Sequence, residues 1–373
     1  MAFSSRKVRR TSTTICRTHQ RRFSAGLLPG IRLTFRKCSL MAENPDPTEC
    51  AIGLDVGGTK IAAGLVAHPS GAVMAKRTLP TLPQRGGEAV LKDSLALVED
   101  LMGEAERRNQ ELLGIGVGVP ELVDPEGNIT SSHSLAWQGR SVQREFSRLA
   151  PAIVESDVRA GALAEAMYGA GREYRLFVYV TVGTGISSTL VQDGLPFAGA
   201  RGNALIMASS PFTTECSSCG TVLNPVLEAF ASGPALVARY NRHGSRAAER
   251  GEDVTAAAEE GDDAAFKIVK SAGEALGNSV AFLVNVMDPE AVVVGGGLGT
   301  AGGLFWDSIV AGTRAHIWAE NSRGLPIVAA AMGVESGLVG AAATVFRNLP
   351  GTMVGSEAAD AVSQVGRKPR QPL

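Results

Sequence analysis

The sharpest chemical signature in the chain is Asp55–Val56–Gly57–Gly58–Thr59–Lys60, which closes a short apolar run. Adjacent glycines let the backbone turn tightly and bring its N–H groups against phosphate oxygens, where any Cβ would intrude. Thr59 and Lys60 add a hydroxyl and a charge. Asp55, at the end of a buried strand, is placed to hold a hydrated Mg²⁺ that bridges nucleotide phosphates. A plain β-hairpin with a glycine turn would use the same spacing. Gly183–Thr184–Gly185 supplies a second loop of this kind. Gly295–Gly296–Gly297–Leu298–Gly299 lies between a strand pattern and a helix pattern, where a base and ribose could rest on bare backbone. Gly297, Gly299 and Gly302 also spell a dinucleotide fingerprint. The next strand pattern, Pro326–Ala330, runs into Ala331 and Met332 without the acidic residue that fingerprint needs.

Periodicity supplies the elements that must position these loops. Ala51–Val56, Ile61–Val66 and Gly71–Arg77 read as three strands of a meander. Glu88–Asn109 has helical spacing. Leu113–Val119 and Ala152–Glu155 read as buried strands, and Val158–Tyr168 as an Ala-rich helix. The opening pattern then recurs: strand Phe177–Val182, glycine turn, strand Ile186–Gln192. Helices are expected over Pro225–Tyr240, Asp262–Met287, Phe305–Trp318 and Ser336–Phe346, with strands at Ala291–Val294 and Pro326–Ala330. Two glycine-turn hairpins heading two α/β halves suggest duplicated lobes facing a cleft.

Taken in order, five segments resemble the bacterial sugar-kinase and repressor family known as ROK, within the actin- and hexokinase-like superfamily. They are Gly53–Leu54–Asp55–Val56–Gly57–Gly58–Thr59–Lys60–Ile61, Gly114–Ile115–Gly116–Val117–Gly118–Val119–Pro120, Glu155–Ser156–Asp157, Gly183–Thr184–Gly185–Ile186, and Leu227–Glu228–Ala229–Phe230–Ala231–Ser232–Gly233. The resemblance runs from about Ala51 to about Phe346. It implies an α/β fold of two duplicated lobes of the actin/hexokinase (ribonuclease H-like) type, with an ATP cleft between them. The lobes would comprise residues 49–158 with about 335–348, and residues 159–334. It further implies transfer of the ATP γ-phosphoryl group to a sugar or polyol hydroxyl, with ATP and magnesium as cofactors.

The family's catalytic base falls on Asp157. A carboxylate where a strand ends and a helix begins is kept ionised by the helix dipole and can accept a hydroxyl proton. By itself the position also suits a helix N-cap. ATP would lie on Gly57, Gly58, Thr59, Lys60, Gly183, Thr184, Gly185, Gly296 and Gly297, with Asp55 reaching magnesium through water. The acceptor would meet His133, Ser156, Asp157, Asn203 and Glu228.

The departures from the family pattern lie on the acceptor side. Ser156 replaces the Asn before the base. Gly202–Asn203–Ala204–Leu205–Ile206 stands where family kinases carry Gly-Glu-x-Gly-His, so the sugar-binding Glu and His are both missing. The family's three-cysteine zinc motif is reduced to Cys216 and Cys219, with Val226 near the third place; two ligands fall short of the four a structural zinc takes, so no zinc is expected there. Glu228, which closes that motif, is retained, and His133 falls where the family has a sugar-binding Asn. The retained Asp55, Asp157 and Glu228 favour turnover; the lost Glu and His leave open a non-catalytic or degenerate protein that binds ATP or sugar as a sensor.

Composition bounds the remaining classes. At 373 residues, two lobes fit better than one core. Before Glu43 there are ten basic residues and no acid; removing these from 36 Lys and Arg leaves 26 against 37 Asp and Glu. A body carrying about −11 is a poor nucleic-acid partner, and residues 1–48 lack the periodic helices of a repressor's DNA-binding motif. No run approaches the roughly 20 apolar residues of a membrane span. Five cysteines make no disulfide framework and favour a reducing compartment. The expected partners are a small sugar or polyol and a second copy of the chain, in the cytoplasm. The Arg- and Ser-rich leader leaves two readings open: an organellar transit peptide, or a segment outside a working protein that starts at Met41. The polar tail, 350–373, is expected to be loose.

Overall fold

The computed structural model describes residues 48–215, 220–243 and 247–348. The expectations for the leader, for the tail and for zinc at Cys216 and Cys219 fall outside these residues.

The first sheet holds β1 (Glu49–Val56), β2 (Lys60–Ala67), β3 (Val73–Pro80), β4 (Glu111–Val119) and β5 (Ala152–Ser156), in the order β3-β2-β1-β4-β5. β1, β2 and β3 form an antiparallel meander, while β4 and β5 run parallel to β1. The second sheet repeats this plan. β6 (Leu176–Val182), β7 (Ile186–Gln192) and β8 (Leu195–Pro196) form the meander, and β11 (Ala291–Gly295) and β12 (Ile327–Ala329) lie parallel to β6. Between them in sequence stands a small hairpin of β9 (Thr214–Glu215) and β10 (Val222–Leu223).

β1 and β2 are apolar on both faces because both faces are covered. On the outer side lies α1 (Gly87–Arg107), whose Val90, Leu91, Leu97, Val98 and Leu101 join a core with Trp137 and α2 (Val142–Phe146). On the inner side lie α3 (Asp157–Tyr168) and α9 (Ser336–Arg347). α9 approaches so closely that a Cβ on Gly116 would lie 1.7 Å from the Ala341 carbonyl oxygen, and one on Gly53 would lie 1.8 Å from that of Leu338. α3 is buried on opposite sides. Ala164 joins the α9 core, whereas Ala162 packs with Phe177, Tyr179 and Val293 of the second sheet. The far side of that sheet carries α4 (Glu228–Ala231), α5 (Gly233–His243), α6 (Gly251–Glu259), α7 (Asp263–Met287) and α8 (Gly303–His316).

Three differences from the sequence expectations have physical causes. The helix expected over Pro225–Tyr240 starts later and breaks at Ser232, whose backbone is extended. The break frees the Gly233 amide to donate to the Gly183 carbonyl at 2.9 Å. α6 lacks a long apolar stripe and went unread; Asp253 accepts from the amides of Glu249 and Arg250 to start it. α8 ends at His316 rather than Trp318, where the backbone turns extended at Ile317.

Candidate active site

The base candidate sits where expected, at the junction of β5 and α3, but it is not the N-cap. Ser156 is the N-cap and makes no side-chain cap bond; its hydroxyl is buried without a hydrogen-bond partner. Asp157 is the first helical residue, and its Oδ1 accepts from the Val158 amide at 2.6 Å. The helix start does not keep this group strongly ionised. Burial comes first and repulsion from Asp55 next, with Glu121 adding to both, and together they push the Asp157 carboxyl up to about 7 against the Val158 amide and Arg159.

Asp55 ends β1 on the same floor. Its pKa is also raised by burial, with the Lys60 charge pulling the other way. Gly337, at the start of α9, leaves it room: a Cβ there would lie 2.4 Å from Asp55 Oδ2. The turn beyond Asp55 closes through Gly57 N to Lys60 O at 2.9 Å, and Thr81 Oγ1 donates to Gly57 O at 2.6 Å. Gly58, Thr59 and Lys60 are exposed on this turn.

The second loop is a hairpin turn one residue shorter than the first, with Gly183 N bonded to Gly185 O at 2.9 Å. A Cβ on Gly183 would lie 3.9 Å from Gly297 N, so the two glycine loops approach each other closely, with the Glu252 side chain beside Gly297. Gly296 needs its glycine, having φ +81° and no room beside Val182. Leu298 N and Gly299 N donate to Val182 O, which fixes this loop on the end of β6.

The acceptor-side candidates divide. Glu228, half-buried at the start of α4, does not stand free: its Oε2 accepts from Ile186 N at 2.8 Å, beneath the second glycine loop. Asn203 and His133 are exposed on loops, and Ile206 is 44% exposed. His133 is placed by its backbone, whose amide donates to Glu121 at 2.9 Å.

Two residues the sequence reading missed organise this side. Glu121 is almost fully buried just after β4. Burial alone would raise its pKa, but Ser131 Oγ and the amides of His133, Leu135 and Ser134 outweigh it and hold the carboxyl below its usual range. The available signal was its position, an acid directly after the strand-ending Val119–Pro120. Arg159 bonds Glu155, Gly202 O and Val123 O. Its signal was the (i, i+4) spacing to Glu155.

A groove of about 740 Å³ lies away from these carboxylates, between the 205–214 segment and α7, lined among others by Ile206, Phe212, Ser271 and Phe282. It contains none of the glycine loops, so it is no place for phosphate chemistry. Among the described residues no cluster of three or more His, Cys, Asp or Glu could hold a metal ion alone, and no helix is long and apolar enough to cross a membrane.

Two sheets of one plan, each headed by a glycine-turn hairpin, define the actin- and hexokinase-like fold. Within it the chain belongs to the ROK family, whose model matches residues 51–348. A glucokinase of Halalkalibacterium halodurans is 27% identical over 313 residues, 78% of this chain and 92% of that protein. The crystal structure of a ROK hexokinase from Thermus thermophilus matches 80% of this chain and 98% of its own, at 30% identity and a TM-score of 0.66. A ROK family glucokinase from Streptomyces griseus, crystallised with glucose and AMPPNP, matches 79% of this chain and 98% of its own, at 27% identity and a TM-score of 0.66.

Proposed function

We propose that the protein is an ATP-dependent kinase acting on a hydroxyl of a hexose or sugar-like polyol, with Asp157 as general base. The observation that carries this reading is the Asp157 carboxyl: recessed, still reached by solvent, and tuned to about 7 on a floor shared with Asp55. A base with a pKa near the working pH is ionised often enough to act and basic enough to hold the proton.

In this reading the lobes divide as 49–158 with 335–348, and 159–334, consistent with the packing of α9 on β1 and β4. ATP is a substrate. The bare backbone of Gly57, Gly58, Gly183, Gly185, Gly296 and Gly297 lets its phosphates and ribose approach, and Thr59, Thr184 and Lys60 add hydroxyls and a charge. The donor set at Asp55 fits a hard cation held through water, which would offset charge on the phosphates. Asp157 accepts the proton of the acceptor hydroxyl. As that oxygen bonds to the γ-phosphorus, the bond from the γ-phosphorus to its bridging oxygen breaks and ADP leaves. In this reading Asn203 and His133, exposed on loops, meet the acceptor, and the unpartnered Ser156 hydroxyl beside Asp157 does so only if the site opens to it.

The test is ATP consumption with Mg²⁺ across hexoses, amino sugars and cyclitols, followed by Asp157→Asn on the acceptor found. Asparagine should leave ATP binding unchanged and lower kcat by about 10²–10⁴-fold. A variant turning over near the wild-type rate would remove Asp157 from the role. No ATP consumption with any acceptor would favour the sensor reading.

A further inference from the structure

Arg159 lies two residues after the base candidate on α3, and its side chain is only 6% exposed. Its guanidinium fork reaches acceptors on three segments, with both Nε and Nη2 close to Glu155 Oε1. Nε donates to Glu155 Oε1 on β5 at 2.7 Å. Nη1 donates to the Gly202 carbonyl at 2.9 Å, and Nη2 to the Val123 carbonyl at 2.7 Å. These carbonyls belong to loops that follow different sheets. They converge because Gly202, at φ +75°, has no Cβ; one there would lie 1.9 Å from Val123 O. A planar fork with fixed donor directions can serve three acceptors at once, and a lysine ammonium cannot reproduce it.

Both loops carry acceptor-side candidates. Gly202 precedes the exposed Asn203, and the far end of that loop is pinned where Ser188 Oγ on β7 donates to Leu205 O at 2.7 Å. Val123 follows Glu121, whose carboxylate holds the amides of His133 and Ser134. Arg159 is rigidly part of the first turn of α3, as is Asp157.

We infer that Arg159 is a positioning residue: it fixes the loop bearing Asn203 and the segment bearing His133 relative to Asp157, so that an acceptor hydroxyl meets the base in one orientation. Its meaning for turnover rests on the kinase reading, whereas the linkage of the two loops does not. Orientation matters steeply, since a misplacement of about 1 Å costs on the order of 10²-fold in rate.

Two variants test this. Arg159→Met keeps much of the apolar stem and removes the fork; Arg159→Lys restores charge without it. Steady-state kinetics would use D-glucose and N-acetyl-D-glucosamine as probes, with hydrogen exchange followed over residues 121–135 and 199–206. For a probe the wild type phosphorylates, acceptor kcat/KM should fall about 10²-fold in Arg159→Met and about tenfold in Arg159→Lys, with the KM for ATP within about twofold. Exchange should quicken in both loops and stay unchanged at Gly57–Lys60 and Gly183–Gly185. An arginine that merely holds the fold together would instead affect both substrates alike. Acceptor kcat/KM within about threefold of wild type, or equal losses for acceptor and ATP, overturns the inference. If the wild type phosphorylates neither probe, that counts against the kinase reading for those sugars, and exchange alone decides: wild-type protection of the two loops in Arg159→Met overturns the linkage. Should Arg159→Met fail to fold, the same comparisons made on Arg159→Lys decide.

Discussion

The buried carboxylate of Glu165 on α3 accepts a hydrogen bond from the Met332 amide at 2.8 Å, across the path by which the chain returns from the second sheet to α9. The same carboxylate accepts from Ala331 N at 3.0 Å and from Ala170 N at 2.8 Å, where the chain first leaves α3 for the second sheet. One side chain therefore clasps both crossings between the sheets. Each bond to a charged acceptor contributes about 1.5–3 kcal/mol, and losing the acceptor leaves partly buried amides unpaired. Glu165→Ala should lower stability by at least about 3 kcal/mol. Urea unfolding checks this. A midpoint within error of wild type at unchanged slope would show that the amides find other partners.

Asp157 should also leave a mark on stability, and its sign is the reverse of an ordinary paired carboxylate. Its native pKa is raised from about 4 to about 7, so the native state binds the proton more tightly than the unfolded chain. The resulting cost is absent below pH 4, grows between the two values, and is complete above pH 7. At about 1.4 kcal/mol per unit it reaches at most about 4 kcal/mol. Asp157→Asn should accordingly raise Tm at pH 8 and change it little at pH 4. In turnover the same group gives an acidic limb: acceptor kcat/KM should rise with pH through about 7 as the base ionises in the free enzyme. A Tm unaffected by the substitution at both pH values would mean that the site does not desolvate this carboxyl.

Much of this architecture was legible because local pattern and tertiary fate agreed. The two glycine hairpins were read as twins, and the sheets repeat one plan, since strand, turn and return strand are all short-range features. Asp157 was found through a family motif rather than through its own chemistry. Its local signal, an acid before an Ala-rich helix, argued for a cap, and its tuning by Asp55 depends on residues about a hundred positions away. Glu228 is expected on the acceptor; the bond of its Oε2 to Ile186 N depends on how α4 meets β7 and could not be read from sequence. Glu121, Glu165 and Arg159 went unread for one reason. Each is a buried charge satisfied largely by backbone groups, and backbone partners leave no trace in residue identity.

In the kinase reading the sequence departs from the family pattern on the acceptor side, and the outcome expected is poor phosphorylation of plain glucose. The family pattern has Glu and His where this chain has Asn203 and Ile206. Both positions lie on the loop held by Arg159 at Gly202, and Ile206 stays 44% exposed. Replacing a carboxylate by an amide removes a charge-assisted bond worth about 1.5–3 kcal/mol, and isoleucine offers a sugar hydroxyl no partner at all. Each loss amounts to about tenfold to over a hundredfold in affinity. A ligand with a deoxy position or an apolar substituent would suit Ile206 better. Steady-state kinetics should give glucose a kcat/KM well below about 10⁴ M⁻¹s⁻¹, the lower end of the usual enzyme range. The paired change Asn203→Glu with Ile206→His should raise it by at least about tenfold. Efficient glucose turnover by the unaltered protein would mean that other groups, His133 and Ser156 first among them, have taken over recognition of the ring.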